Sequence, residues 1–386
     1  MPVFNRLPTA VRMSLVVLFV LFLAVGGQTV SATPILKMTE GMAITRLPQQ
    51  MGSWQRLGTT NAPPARRDAA MGYDEARHRL ILFGGRNDTG ALDDTWALDL
   101  NTLNWQPLAT GSAIRPDARY SMVTGVDLTR HRLLITTGQA PGALFNDVWS
   151  FDLTTDTWSE IAAQGDIPDI RYGAAGGITA GGDSFFLSHG FTDQGRFDDT
   201  RRFDLATNTW YDVTPATTRP LPRCLHAATL TQGNDMVLFG GCASGFGPCP
   251  LNDTWLFEQN TGLWSEIPTP SDVEARLFPS LVTLGNRNEL LLFGGETGGS
   301  AFGDGWVLDM DSRQWVEIMA MGETPEARAG HSMVWVPTMA EATNGGALLF
   351  GGQTGSTDFN DLWLFAREME SEPLPFSLFL PMLRSE

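Results

Sequence analysis

Lysine is almost missing from this chain. Of 386 residues only Lys37 is a lysine, and 26 basic residues face 43 acidic ones, for a net charge of −17. A nucleic-acid binder needs a basic footprint, so DNA and RNA are not expected partners. Attraction to an anionic lipid surface falls with them. Tyrosine (4) and cysteine (3) are also scarce, and an odd number of cysteines leaves one thiol over. No Gly-rich phosphate loop, zinc-binding helix motif or nucleophile elbow appears. An apolar run at the N-terminus, SLVVLFVLFLAV (14–25), holds only twelve residues. That is too short for a helix crossing about 30 Å of hydrocarbon. Arg6 and Arg12 precede it and Val30-Ser31-Ala32 follow, small residues where a signal peptidase reads. Residues 1–32 therefore read as a secretory signal peptide. The mature chain is expected outside the cytoplasm, secreted or periplasmic, as a monomer with no membrane span. Export permits a disulfide.

What the chain does contain is repetition. Six copies of one phrase occur: LDDTW, FNDVW, FDDTR, LNDTW, FGDGW and FNDLW. The middle aspartates are Asp94, Asp147, Asp199, Asp253, Asp304 and Asp361, at gaps of 53, 52, 54, 51 and 57 residues. Upstream of each lies an apolar strand, such as LILFGG (80–85), ended in four copies by paired glycines. Downstream come a polar turn and a fourth strand led by tryptophan: Trp105, Trp158, Trp210, Trp264 and Trp315. Short strands separated by turn residues make a four-stranded antiparallel unit, and a period near fifty marks a repeat architecture. The last copy supplies three strands and ends near Phe365. An isolated fourth strand, Ser53–Leu57 with Trp54, stands at the other end of the repeat array. Joining them closes a ring and leaves no open sheet edge.

The expectation is an all-β, six-bladed propeller, four antiparallel strands per blade, sealed by an N-terminal outer strand. Its organisation is a signal peptide (1–32), a linker (33–50), the propeller (51–366) and an apolar, proline-broken tail (367–386). The tryptophans are expected to wedge between blades, each burying a large apolar area.

A second ladder precedes every first strand: Arg66, Arg119, Arg171, Arg223, Arg276 and Arg328. Strand direction places these arginines, the paired glycines and the aspartate ladder on one face. One reading makes the arginines a ring of guanidiniums gripping a ligand. The other pairs each with an aspartate inside its blade; the exact register with the fold favours it. Departures from the repeat are the better pointers to a ligand site. They are Arg201 with Arg202, the loops 86–91, 192–196 and 242–250, and His226 and His331 on or near that face. Two imidazoles two blades apart are too few for a metal site, so hydrogen-bonded core histidines are expected. Spaced acids in 87–94 and 192–199 match no calcium-loop spacing. No cofactor or metal is expected. Of the possible bridges Cys242–Cys249 and Cys224–Cys242, the first is preferred, because it would stiffen the Gly-rich loop CASGFGPC.

The combined pattern resembles the kelch family: RCLH and RAGH at the starts of repeats four and six, a Gly-Gly doublet, Asp-x-Trp and a late Trp. The resemblance implies a propeller whose loop-bearing face binds proteins or small molecules such as carbohydrate. Some exported relatives are enzymes, of the galactose oxidase or sialic acid mutarotase kind. The oxidase type uses tyrosine and histidine copper ligands, yet Tyr73, Tyr120, Tyr172 and Tyr211 have no adjacent histidine. No catalytic residue is carried over, and a binding module is the primary expectation, with a carbohydrate-active enzyme as the alternative.

Overall fold

The computed structural model describes residues 50–108, 114–285 and 287–367, all within one compact unit, Pro48–Glu386. The expected signal peptide, the linker up to residue 49 and the tail from residue 368 lie outside the described residues. Every regular element described is a β-strand. No helix among the described residues is long and apolar enough to cross a membrane.

The strands build a β-propeller, and the first repeat shows how. Ala70–Asp74, Arg79–Phe83, Thr95–Asp99 and Asn104–Pro107 pair in that order as an antiparallel sheet. The second strand is the most hidden: Leu80 to Phe83 are fully buried, because sheets pack on both its faces. A miniature hairpin, Arg86–Asn87 with Gly90–Ala91, links the second and third strands. Equivalent four-stranded sets recur in each repeat. In the sixth, Ser332–Val336, Gly346–Phe350 and Leu362–Arg367 are completed by the chain's first described strand, Gln50–Leu57. That strand runs antiparallel to the third, with Trp54 opposite Phe365 and Leu57 opposite Leu362. Between the first two strands of this repeat the chain inserts residues 337–345, which fold back and bury Met339 and Ala342 in the core beside Leu57 and Leu348.

The innermost strands, Ala70–Asp74, Val123–Asp127, Ala175–Ile178, Ala227–Leu230, Ser280–Thr283 and Ser332–Val336, pack each against the next. The last packs against the first. Each begins four residues after its ladder arginine. The reason lies in residues between. Arg67, Tyr120, Tyr172, Leu277 and Ala329 bridge to the hairpins of their own repeats, and Cys224 bridges to Cys242. The next residues, Asp68, Ser121, Gly173, Leu225, Phe278 and Gly330, all turn left-handed, with φ between 52° and 66°. In that conformation each amide donates to the carbonyl of the ring neighbour. Asp68 donates to Gly330, Gly330 to Phe278, Phe278 to Leu225, Leu225 to Gly173, Gly173 to Ser121, and Ser121 back to Asp68, at 2.7–3.2 Å. The six repeats are thus stitched into one closed ring of backbone hydrogen bonds at the channel mouth. Leu225 and Phe278 accept an unfavourable φ for their size, a strain that the ring holds in place.

The tryptophans wedge between sheets. Trp54 meets Phe293 of the fifth repeat at 4.7 Å between ring centres, and Trp105 meets Phe350 of the sixth at 5.1 Å. Three of these indoles also donate across the gap: Trp158 to Thr95, Trp264 to Thr200 and Trp315 to Thr254, at 3.0–3.2 Å. Trp105 and Trp210 share their clusters with Leu362 and Val148, the residues equivalent to those threonines. Those side chains have no oxygen, and both indole nitrogens are left without a partner.

Candidate interaction face

The ladder arginines are not available to a ligand. All six are at most 1% exposed. Arg66 forks onto Asp94 at 2.6 and 2.9 Å, and the same two-bond pairing joins Arg119 to Asp147, Arg171 to Asp199, Arg223 to Asp253, Arg276 to Asp304 and Arg328 to Asp361. In the first repeat Nη1 also reaches the Gly84 carbonyl and Nε the Pro64 carbonyl, so four of the five N–H groups are engaged. Phenylalanines at 145, 197, 302 and 359 cover the guanidinium face of four of them at 3.8–4.2 Å. The ligand-gripping ring expected as one possibility is therefore corrected to six internal clamps. Burial alone would push the aspartates up. The arginine bonds and charge outweigh it and hold Asp94, Asp199, Asp304 and Asp361 below the usual carboxylate range.

Third-strand tryptophans complete each clamp. Trp96, Trp149, Trp255, Trp306 and Trp363 each donate Nε1 to the second oxygen of the ladder aspartate at 2.7 Å. In the third repeat Arg201 takes that place, its Nε 2.8 Å from Asp199 Oδ2 and its Nη2 3.2 Å from Asp212. Arg202 lies over the Tyr211 ring at 4.9 Å. Arg201 is thus a structural replacement for the tryptophan, a role that the sequence alone did not reveal.

His226 and His331 are buried, at 6% and 5% exposure. Neither ring has a hydrogen-bonding partner on either nitrogen, contrary to the expectation of bonded histidines. His226 sits edge-on to His189 at 5.5 Å, and His331 edge-on to Phe293 at 5.5 Å. A Cβ on Gly294 of the neighbouring repeat would stand 2.8 Å from His331 Cε1, so the ring lies against the adjacent sheet. Desolvation pushes His226 well below the ordinary histidine value and His331 down to about 3. Both are neutral packing groups, not ligand grips. Among the described residues no three His, Cys, Asp or Glu side chains converge as metal ligands would.

The non-repeating chemistry gathers instead around the channel mouth. Arg67 pairs with Asp358, and Arg86 donates to Asp68 at 2.7 Å while lying over the Tyr120 ring at 4.5 Å. Farther round, Tyr172 meets Phe191 edge-on at 5.4 Å, and Arg196 covers Phe191 at 5.0 Å. Arg196 then reaches the fourth repeat, donating to the Cys242 and Ser244 carbonyls at 3.0 and 2.6 Å and lying 3.4 Å from Cys242 Sγ. Cys242 is disulfide-bonded to Cys249, and Cys224 is a buried free thiol that burial pushes up in pKa. Burial also raises Asp68, against the pull of Arg86, and it raises Glu296, where the charge of Asp68 adds to it. Beneath the mouth a small cavity of about 120 Å³ is lined by Asp68, Ser121, Leu225, Phe278, His226 and His331. At the opposite end the channel widens to about 460 Å³ between Tyr73, Gly177, Leu230, Val282 and Trp335.

Comparison with known proteins places the chain. Residues 14–241 and 230–376 match the family described as the KLHDC2/KLHL20/DRC7 Kelch-repeats domain. A putative adagio-like protein 2 of Oryza sativa subsp. japonica is 29% identical over 78% of this chain, and kelch domain-containing protein 10 of Xenopus tropicalis is 27% identical over 78%. An acyl-CoA-binding domain-containing protein 4 of Arabidopsis thaliana is 27% identical over 63%. The matched region spans 49%, 76% and 37% of those proteins, so the chain covers about half or less of two of the three. With the repeat, the clamps and the family match in agreement, this chain belongs to the kelch-repeat family of β-propellers.

Proposed function

We propose that the protein is an exported interaction module that receives a protein partner on the loop face, around the channel mouth. The observation that carries this reading is the distribution of departures from sixfold repetition. Arg67, Asp68, Arg86, Tyr120, Tyr172, Arg196, Glu296 and Asp358 occupy equivalent or adjacent positions in different repeats, yet differ in charge and shape. Packing alone would favour repetition there; recognition needs a non-repeating surface. The kelch relatives support an interaction role in general, and the N-terminal segment supports export.

The test places a photo-crosslinking amino acid at Gln194, on a loop-face hairpin, and at Leu128, which is 46% exposed at the opposite channel end. In the cells that make the protein, Gln194 should capture a protein partner and Leu128 should not. Capture from Leu128 alone would move the site to the other end. Export is read separately, by N-terminal sequencing of the mature chain, which should begin at Thr33.

A further inference from the structure

The fourth repeat holds all three cysteines, and its loop closure uses only two of them. Cys242 is bonded to Cys249 across the loop 242–249, and Cys224 keeps its thiol. Closing that loop needs no third sulfur. Yet the third stands at one particular place. Cys224 and Cys242 lie opposite each other on adjacent antiparallel segments, and each amide donates to the other's carbonyl, at 3.1 and 2.9 Å. The other repeats make the same bridge without sulfur, joining Tyr172 to Phe191 and Ala329 to Gln353, for example. The fold therefore does not require a thiol at this position.

Directly opposed residues that exchange both bonds hold their Cα atoms about 5.5 Å apart, with their side chains on one side of the ribbon. That separation lies within the ~4.4–6.8 Å span of disulfides. Cys224 can thus bond to the sulfur of Cys242 with the backbone in place. Arg196 serves both sulfurs. Its Nη2 lies 3.4 Å from Cys242 Sγ. Burial pushes the Cys224 thiol up, and the charge and hydrogen bond of Arg196 draw it back. A thiolate formed there has a cation beside it. The two ends of the existing bridge are unlike. Cys242 is buried and fixed through its carbonyl by Arg196 and the Cys224 amide, whereas Cys249 stands exposed. The loop also keeps bonds of its own: the Ala243 amide donates to the Pro248 carbonyl at 3.0 Å, and the Ala243 carbonyl accepts from Gly247 at 2.8 Å. Releasing Cys249 leaves these intact.

We propose that Cys224 exchanges with the bridge beside it and so turns Cys249 into a surface modification site for small disulfides. The Cys224 thiol gives its proton to solvent, and its sulfur attacks Cys242 Sγ. The Cys224–Cys242 bond forms as the Cys242–Cys249 bond breaks, and Cys249 leaves as a thiolate. This exchange consumes no outside oxidant or reductant. The Cys249 thiolate then attacks a small disulfide such as oxidised glutathione. A mixed disulfide forms at Cys249, and the other half of the reagent leaves as a thiolate that takes up a proton. A protected interior thiol is in this way traded for an accessible one on the loop face, whether or not that face receives a protein.

The full mature chain, prepared without reductant, is incubated folded with oxidised glutathione, quenched in acid and mapped by mass spectrometry. The wild type should gain a glutathione at Cys249 together with a Cys224–Cys242 bridge, over the minutes to hours typical of uncatalysed disulfide rearrangement. Cys224→Ala should gain none. Alanine fills the same bridge position at Ala329 of the sixth repeat, so this variant keeps the fold. Cys249→Ser leaves the opposed pair alone, and the same reagent should convert it to the Cys224–Cys242 disulfide with no glutathione retained. A folded wild-type chain that takes up no glutathione, or takes it at Cys224, would overturn the exchange. So would an adduct on Cys224→Ala, or glutathione left on Cys249→Ser with its two cysteines unjoined.

Discussion

Val148 stands where the first, third and fourth repeats carry threonine. Those threonines accept a bond from the tryptophan of the next sheet, and Trp210, facing Val148, has none. Val148→Thr is nearly the same size and should supply the missing acceptor, raising stability by about 1 kcal/mol. Urea unfolding of both proteins measures this, and a loss of stability would show that the hydroxyl does not reach. His331 offers a second residue-scale test. Its folded pKa is about 3 against an ordinary 6.5. Below pH 6.5 the unfolded chain takes up a proton that the folded chain refuses until about pH 3. Stability therefore falls as pH drops through that window, by about 1.4 kcal/mol per pH unit for each such histidine. Met122 fills the equivalent position in the second repeat, so His331→Met should pack. The stability gap between pH 6.5 and pH 5 should shrink by about 2 kcal/mol in that variant. An unchanged gap would mean that the imidazole is protonated in the native fold.

At the scale of elements, much could be read from the sequence because each clamp uses side chains. An arginine, an aspartate and a tryptophan recur at fixed spacing, and their types declare their pairing. The strand that completes the sixth sheet was legible from Trp54 alone, which matches the fourth-strand tryptophans. The turn before each first strand was not legible. Asp68, Ser121, Gly173, Leu225, Phe278 and Gly330 share no chemistry, since the fold demands only a left-handed backbone there. The role of Arg201 was hidden for a related reason: a guanidinium and an indole can donate to the same aspartate oxygen without resembling each other. Closure by the N-terminal strand can be tested by chemistry. Ser53 faces Ala366 in the antiparallel pair. Ser53→Cys with Ala366→Cys should cross-link on mild oxidation and raise the unfolding midpoint, because the bridge ties residues about 300 apart and restricts the unfolded chain by several kcal/mol. Failure to cross-link in the folded protein would detach this strand from the sixth sheet.

For the whole molecule, closure rather than any one contact determines behaviour. Six similar sheets in a row would leave an open edge at each end. Here the first and last innermost strands pack together, and six amides hand hydrogen bonds round the mouth until the circle is complete. The rigid rim so formed carries the varied side chains proposed to meet a partner. Native-state hydrogen exchange at the amides of Asp68, Ser121, Gly173, Leu225, Phe278 and Gly330 tests this most directly. Although they stand at a solvent-facing mouth, all six should exchange only through global opening, with protection of about 10⁴-fold or more. If any of them exchanged at the rate of a free loop amide, the ring would be open at that repeat, and closure by six linked sheets would be contradicted.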